Sequence, residues 1–398
     1  MEVITGAIKL KDLFRSHWTA FFLSFAHMIL RPAIAENVMK LILCCSAALG
    51  FHLYECPKCG RQKKRPHSCK SRFCPSCGKK ATEKWMRKAF AELPDCQWQH
   101  ITFTMPKVLW EICQLNRDEC SKQIPSIPAK LLLGQAKEKG ILPGIYMAQH
   151  TFGRDLKYNL HFHLSVSMGG LTAGCKKWKK WKWTYRTTLK TRWRYAVIDT
   201  LRRLYKEGKL KLPNRHHICT YTQFNQWLDG FYQKNWVVHF AEPYDNHERT
   251  TVYMGRYLKR PPIAEARIKA YDAESITFEY LDHYTKEKAQ VTLHVFEFMG
   301  RLIRHIPDKN YRMIRYYGFL SNRLRGKLLP LVHKLIGSAP EEQPYQKPLK
   351  WRQMFYQTFG YDPLKCYICD VIMEFVGAVY PAKKSWEQVN RNFIEGFT

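Results

Sequence analysis

The chain has 398 residues, with 65 Lys+Arg against 33 Asp+Glu, a formal net charge of +32 at neutral pH with His uncharged. With 45% hydrophobic and 14% aromatic residues it has ample material for a core, which excludes wholesale disorder. A positive excess of this size weakens the compact state unless a polyanion neutralises it, which argues against a partner-free enzyme and for nucleic acid ahead of an anionic membrane surface.

The length suggests two or three domains at about 100–200 residues each. No 18-residue apolar run is present, and Glu2 and Asp12 stand where a secretory leader would be basic and then apolar. A membrane partner is therefore not expected, and a reducing compartment is. Five of the 14 cysteines fall between 56 and 77, a clustering that in such a compartment reads as metal ligands rather than disulfides.

Residues 8–50 carry apolar positions at helical spacing, among them Leu13, Phe14, His17 and Phe21, then Val38, Leu41, Ile42 and Cys45, and Gly50 ends the stretch. A Cys-rich, basic loop is expected over 52–80, then a helix up to Leu93, broken at Pro94. From about 96 the pattern turns β-rich. Strands are expected over 100–104, 145–151, 160–166 and 236–240, with a hairpin connection through Gly153, Asp155 and Asn159. A helix over 248–258, a hairpin of 276–281 with 290–293, a helix over 295–305 and a strand over 311–317 follow. Hairpin-paired strands with interspersed helices predict an α+β fold with a central antiparallel sheet. The expected division is 1–93 helical and zinc-binding, 94–325 central domain, and 326–398 a basic C-terminal region.

Cys56-x2-Cys59 and Cys74-x2-Cys77, with residues 60–73 between them, have the spacing of a tetrahedral structural Zn²⁺ site. Cys69, His67 and His52 are extra candidates. A frame of this kind would present Arg61, Lys63, Lys64, Arg65, Lys70 and Arg72 to phosphates. His161-Phe-His163 places two imidazoles on one face of a strand. The neighbouring strand offers His150, the first choice, or Gln149 as third ligand, leaving open positions on a catalytic ion, expected as Mg²⁺ or Mn²⁺. Tyr253 and Tyr257 lie at i and i+4 of the 248–258 helix, so both phenols can approach one site beside Arg256, Lys259 and Arg260. The bland alternative puts those tyrosines in the core. Lys176, Lys177, Lys179, Lys180 and Lys182 interleave with tryptophans, a pattern that fits either single-stranded DNA, with indoles stacking on bases, or an ordinary amphipathic strand.

Together these motifs resemble the HUH endonucleases of the two-tyrosine type. The resemblance is closer still to the bacterial rolling-circle transposases of the insertion sequence ninety-one family. It is carried by residues 68–77, by 100–106 (HITFTMP), by His150 to His163, by 253–261 (YMGRYLKRP) and by 316–323 (YYGFLSNR). The resemblance implies an HUH nuclease over the central domain. One strand of an element end is nicked, a tyrosine becomes joined to the 5′ phosphate, and strand transfer follows. It also implies single-stranded element ends and target DNA as partners, a nucleoid-associated location in the bacterial cytoplasm, and an assembly for which a homodimer stays open. Many members carry His where this chain has Phe73, leaving Cys69 or His52 as the spare ligand. Cys366-x2-Cys369 has no second pair nearby in sequence, so no separate zinc site is expected there. The alternatives are a plasmid replication initiator or relaxase, and a non-catalytic zinc-dependent DNA-binding protein.

Overall fold

The computed structural model describes residues 8–25, 31–183, 186–258, 261–282, 285–338, 350–382 and 384–396. Helices α1 (Leu10–Phe25) and α2 (Pro32–Ile42) open the chain, followed by a hairpin of β1 (Phe51–Glu55) and β2 (Gln62–Pro66) and by α3 (Pro75–Glu92). Strand β3 (Trp98–Thr104) leads into α4 (Lys107–Leu115), α5 (Arg117–Gln123) and α6 (Ile127–Glu138). Then come β4 (Ile141–Leu142), β5 (Gly144–Phe152), β6 (Tyr158–Ser167), β7 (Gly169–Thr172) and β8 (Trp178–Lys180). Helices α7 (Arg186–Lys206) and α8 (Tyr221–Asp229) precede β9 (Val237–Phe240) and α9 (His247–Leu258). The remainder is β10 (Ile268–Tyr271), β11 (Ser275–Leu281), β12 (Lys288–His294), α10 (Val295–Ile303), β13 (Ile314–Gly318), α11 (Arg325–Ile336), α12 (Trp351–Phe359), β14 (Glu374–Val379) and α13 (Trp386–Ile394). The fold is α+β.

Five strands form the central sheet in the order β13-β5-β6-β3-β9, and every neighbouring pair is antiparallel. Because successive side chains alternate between faces, each strand serves two layers. Ile101, Phe103, Ile145, Met147, Phe162, Leu164 and Val166 point to one face. There they pack with Leu189, Trp193, Val197 and Leu201 of α7 and with residues of α4, α5, α6 and α8. Each such fully buried side chain stabilises the fold by about 1.5–3 kcal/mol. The opposite face carries Trp98, His100, Tyr146, Ala148, His150, His163 and Ser165, all buried. Trp98, Tyr146 and Ala148 pack with Trp85 of α3, Met254 of α9 and Leu328 and Val332 of α11.

A second core joins α1 and α2 to the β10-β11-β12 sheet, α10 and α13, with Leu156 of the β5–β6 connection inserted fully buried into it. Two differences from the sequence expectation follow. Residues 52–80 are only partly a loop: β1 and β2 form a hairpin, an irregular segment covers 67–74, and α3 starts at Pro75. The C-terminal segment does not stand apart: β14 pairs antiparallel with β1, completing a β14-β1-β2 sheet. On α13, Asn390 accepts a hydrogen bond from Trp18 Nε1 at 2.8 Å, and Lys40 lies 5.1 Å over the Trp386 ring. Long-range pairing of this kind leaves no trace in local sequence pattern.

Candidate active site and metal-ligand clusters

The β5–β6 hairpin has His150 directly opposite His161, while His163 lies opposite Ala148 on one side and Thr102 on the other. Candidate nitrogens of His150, His161 and His163 lie within 4.8 Å of one another. A bulge between His150 and Phe152 ends the regular pairing at this point, a device that re-aims side chains beside sites. Gln149, the other third-ligand candidate, points to the opposite face, where it accepts a hydrogen bond from the Tyr311 hydroxyl.

Hydrogen bonds fix how these rings are presented. The Asn159 carbonyl lies 2.8 Å from His161 Nδ1, which must donate, leaving Nε2 with its lone pair. His163 Nδ1 lies 3.1 Å from His100 Nε2, and Thr102 Oγ1 is 3.3 Å from each. With the shared proton on His163 Nδ1, its Nε2 becomes the coordinating atom and His100 the supporting acceptor. Burial holds His161 down to about 4 and His163 well below the ordinary imidazole value. Buried His100 is lowered to about 3, by desolvation first and then by His239 and His161. All are therefore neutral near pH 7, the state in which imidazole binds a metal. Three imidazole nitrogens within coordinating reach fit a divalent ion with open positions for a substrate oxygen. Without a carboxylate, the set suits manganese better than magnesium.

Tyr253 lies on α9, which crosses the histidine-bearing face. Thr250 seats the helix, its Oγ1 lying 2.5 Å from Ser165 Oγ and 3.1 Å from the Tyr146 hydroxyl. Met254 is fully buried beneath it. The Tyr253 ring centroid is 4.7 Å from that of His100, edge to face, and the His100 ring stacks at 5.2 Å on His163. One imidazole thus separates the Tyr253 ring from the histidine cluster. The side chains of Arg256 and Tyr257, and residues Lys259 and Arg260, lie outside the described residues.

The cysteines divide differently from the expected single site. Cys74 and Cys77 group with Cys69 and Cys44, whereas Cys56 and Cys59 lie with Cys366 and Cys369. In the first group Cys69–Cys77, Cys44–Cys77 and Cys44–Cys74 sulfurs are 3.6, 3.7 and 3.7 Å apart. Zinc–sulfur bonds of about 2.3 Å imply tetrahedral edges of about 3.8 Å, so this group fits zinc. Cys74 holds the N-cap position of α3, and hydrogen bonds from Cys44 and Cys69 lower its pKa. Hydrogen bonds from Cys44, Cys69 and Cys74 hold Cys77 far below the ordinary thiol range. Cys44 was missed because helical spacing had placed Cys45 inward. The helix stops at Ile42, and the turn at Cys45 (φ 57°) leaves Cys45 exposed and Cys44 buried. His52 and His67 belong to neither group; their rings pack together at 4.6 Å. Phe73 is core, edge-on to Phe14 at 5.5 Å.

The basic candidates also separate. Arg61, Lys64 and Lys70 are exposed and Lys63 half-buried. Arg65 instead donates to the Pro363 carbonyl and lies 5.7 Å over Phe355, and burial lowers the pKa of Arg72. Lys176, Lys177, Lys179, Lys180 and Lys182 all face solvent. The intervening indoles turn inward: Trp183 is buried with Nε1 donating to the Ser167 carbonyl at 3.1 Å, and Trp178 packs on Phe319. The stacking half of that expectation is therefore replaced by core packing. His239, exposed on β9 opposite Thr102, is a further imidazole on the active face.

The transposase zinc-binding domain family model matches residues 13–105, and the Y2_Tnp family model, described as "Putative transposase", matches 144–327. The chain is 34% identical over 378 residues to "Transposase for insertion sequence element IS801" of Pseudomonas savastanoi pv. phaseolicola, an alignment covering 93% of this chain and 90% of that protein. It is 26% identical over 389 residues to "Putative transposase y4qJ" of Sinorhizobium fredii (strain NBRC 101917 / NGR234), covering 94% and 97%. No solved structure matches. A transposase zinc-binding match followed by a transposase match over the segment that carries most of the central sheet defines a transposase, and DNA is its partner. The chain belongs to the IS91 family of transposases. No helix among the described residues is long and apolar enough to cross a membrane.

Proposed function

We propose that this transposase is a two-tyrosine HUH enzyme of rolling-circle type that nicks single-stranded element ends. The observation that carries the reading is the shared face: Tyr253 stands one imidazole away from three clustered histidines. In the proposed step the Tyr253 hydroxyl attacks the scissile phosphorus and loses its proton. The bond to the upstream 3′ oxygen breaks, and that oxygen leaves as a 3′ hydroxyl. The product is a 5′-phosphotyrosine, which conserves the phosphodiester energy for rejoining. Tyr257 would act in the same way at the second end or the target.

A divalent ion held by His150, His161 and His163 would supply Lewis-acid polarisation of the phosphate. The protein's own part is to present neutral imidazoles, with Asn159 and His100 fixing tautomers, and to hold the phenol rigidly through Thr250 and Met254. The exposed lysines of 176–182 would follow the backbone of the strand.

Incubation with a single-stranded terminal oligonucleotide and Mn²⁺ is expected to give a covalent protein–DNA adduct. Tyr253→Phe/Tyr257→Phe should abolish the adduct while leaving the melting temperature within a few degrees. His161→Ala should remove metal-dependent nicking but spare DNA binding. An intact, DNA-binding wild-type protein that forms no adduct would instead favour a non-catalytic end-binding protein.

A further inference from the structure

We propose that this chain holds two zinc ions, and that the second, bound by Cys56, Cys59, Cys366 and Cys369, staples the C-terminal segment to the N-terminal hairpin. The proposal does not depend on the nuclease reading.

Two segments far apart in sequence adopt the same local shape. In Cys56-Pro-Lys-Cys59-Gly60, the Gly60 amide donates to the Cys56 carbonyl at 2.9 Å and the Cys56 amide donates to Arg61 O at 2.9 Å. In Cys366-Tyr-Ile-Cys369-Asp370, the Asp370 amide donates to the Cys366 carbonyl at 3.0 Å and the Cys366 amide to Val371 O at 2.9 Å. The residue after each second cysteine is left-handed, with φ 67° at Gly60 and 58° at Asp370. Glycine takes that conformation freely and aspartate more readily than most other residues, so both suit the turn.

The two turns meet with all four sulfurs inside 4.8 Å of one another. Cys59 and Cys366 sulfurs stand 3.9 Å apart, close to the roughly 3.8 Å edge of a tetrathiolate zinc site. The distance is well beyond the roughly 2.05 Å of a disulfide.

The surroundings give an independent reason for a metal. Between residues 361 and 380 only Pro363, Cys366 and Met373 are buried, while Tyr367 is 73% exposed and Ile368 57%. The local core consists of Cys56, Cys366 and Met373 with Tyr54 and Cys369 against it. So little apolar burial cannot offset the ordering entropy of the segment. A structural zinc, whose binding free energy becomes folding free energy in small zinc modules, can. The β14–β1 pairing then extends outward from the clamp.

The test is elemental analysis of the intact chain purified under reducing conditions without chelator. One zinc equivalent fewer is expected for Cys366→Ser/Cys369→Ser than for the wild type, and the variant's C-terminal segment should also be cleaved faster by trypsin. Equal zinc content in the two proteins, or a single equivalent in the wild type, would overturn the proposal. Should that variant not fold, the wild-type chain loaded with cobalt decides. Thiolate-to-cobalt absorption corresponding to two tetrathiolate ions supports the site, whereas intensity corresponding to one contradicts it. Thiol titration of the denatured wild type that finds these four cysteines oxidised would also overturn it.

Discussion

His305 shows how a buried ring beside the site sets the pH response of the fold. Its Nε2 donates to the Leu156 carbonyl at 3.0 Å, and Thr151 Oγ1 lies 3.1 Å from its Nδ1. Burial, reinforced by Arg117 and Arg304, lowers it to about 4 despite the Leu156 carbonyl. Between about pH 6.5 and 4 the unfolded chain therefore binds a proton here that the folded chain refuses. Its contribution is fully present above 6.5 and is lost as pH falls through that window, at no more than about 1.4 kcal/mol per pH unit. Denaturant midpoints measured from pH 7 to 4.5 should fall less steeply for His305→Gln than for the wild type. Parallel profiles would contradict the assignment. The histidine pairing on β5 and β6 was readable because alternation and a short hairpin connection fix the register across two neighbouring strands. His100 was read only as part of a strand. Nothing local marks it as the partner of His163, since that contact runs between β3 and β6.

Helix α9 depends on a close approach to α3. A Cβ on Gly255 would stand 2.5 Å from Met86 Sδ and 2.8 Å from its Cγ. Gly255→Val should therefore shift Met86 and lift α9, at a cost of about 1–3 kcal/mol typical of overpacking. Tyr253 rides on the same helix, so adduct yield should fall more than the thermal midpoint suggests. Unchanged yield with a lowered midpoint would mean the seam is purely structural. Because Cys74 is the N-cap of α3 and the helix's Trp85 donates to the Tyr316 hydroxyl at 2.9 Å, one helix connects the first cysteine group to the tyrosine helix and the sheet.

The β8 region makes a separate prediction. Lys179→Ala/Lys180→Ala removes two exposed cations, and the slope of log K against log salt for single-stranded DNA should flatten by about 1.4, from about 0.7 per phosphate contact. An unchanged slope would place the strand elsewhere. The elements were mostly legible here, but the direction of the tryptophans was not. Lysine and tryptophan alternate in either reading, and only packing against Phe319 and the Ser167 carbonyl decides which face is inward.

At the scale of the whole molecule, the two halves of the chain are interlocked rather than strung in series. The C-terminal strand lies on the N-terminal hairpin, and α13 covers α1 and α2. Leu156 of the central domain is inserted into the same N-terminal core. Sequence spacing found both N-terminal cysteine pairs but joined the wrong ones. A C-x2-C turn supplies two ligands wherever it lies, and the partner pair is chosen by topology over some three hundred residues. The charge of +32 was equally legible, and its sign agrees with a DNA partner.

The central claim, tyrosine attack from a helix facing the histidine cluster, is tested most directly by mapping the covalent DNA adduct on the chain. Trypsin cuts after Arg249 and Arg256, so Tyr253 falls in residues 250–256 and Tyr257 in 257–259. After nicking with Mn²⁺ and nuclease trimming, mass spectrometry should find a nucleotide phosphate on one or both of these peptides and on no other. A nucleotide on a different residue, or cleaved DNA with no modified peptide, would contradict the account.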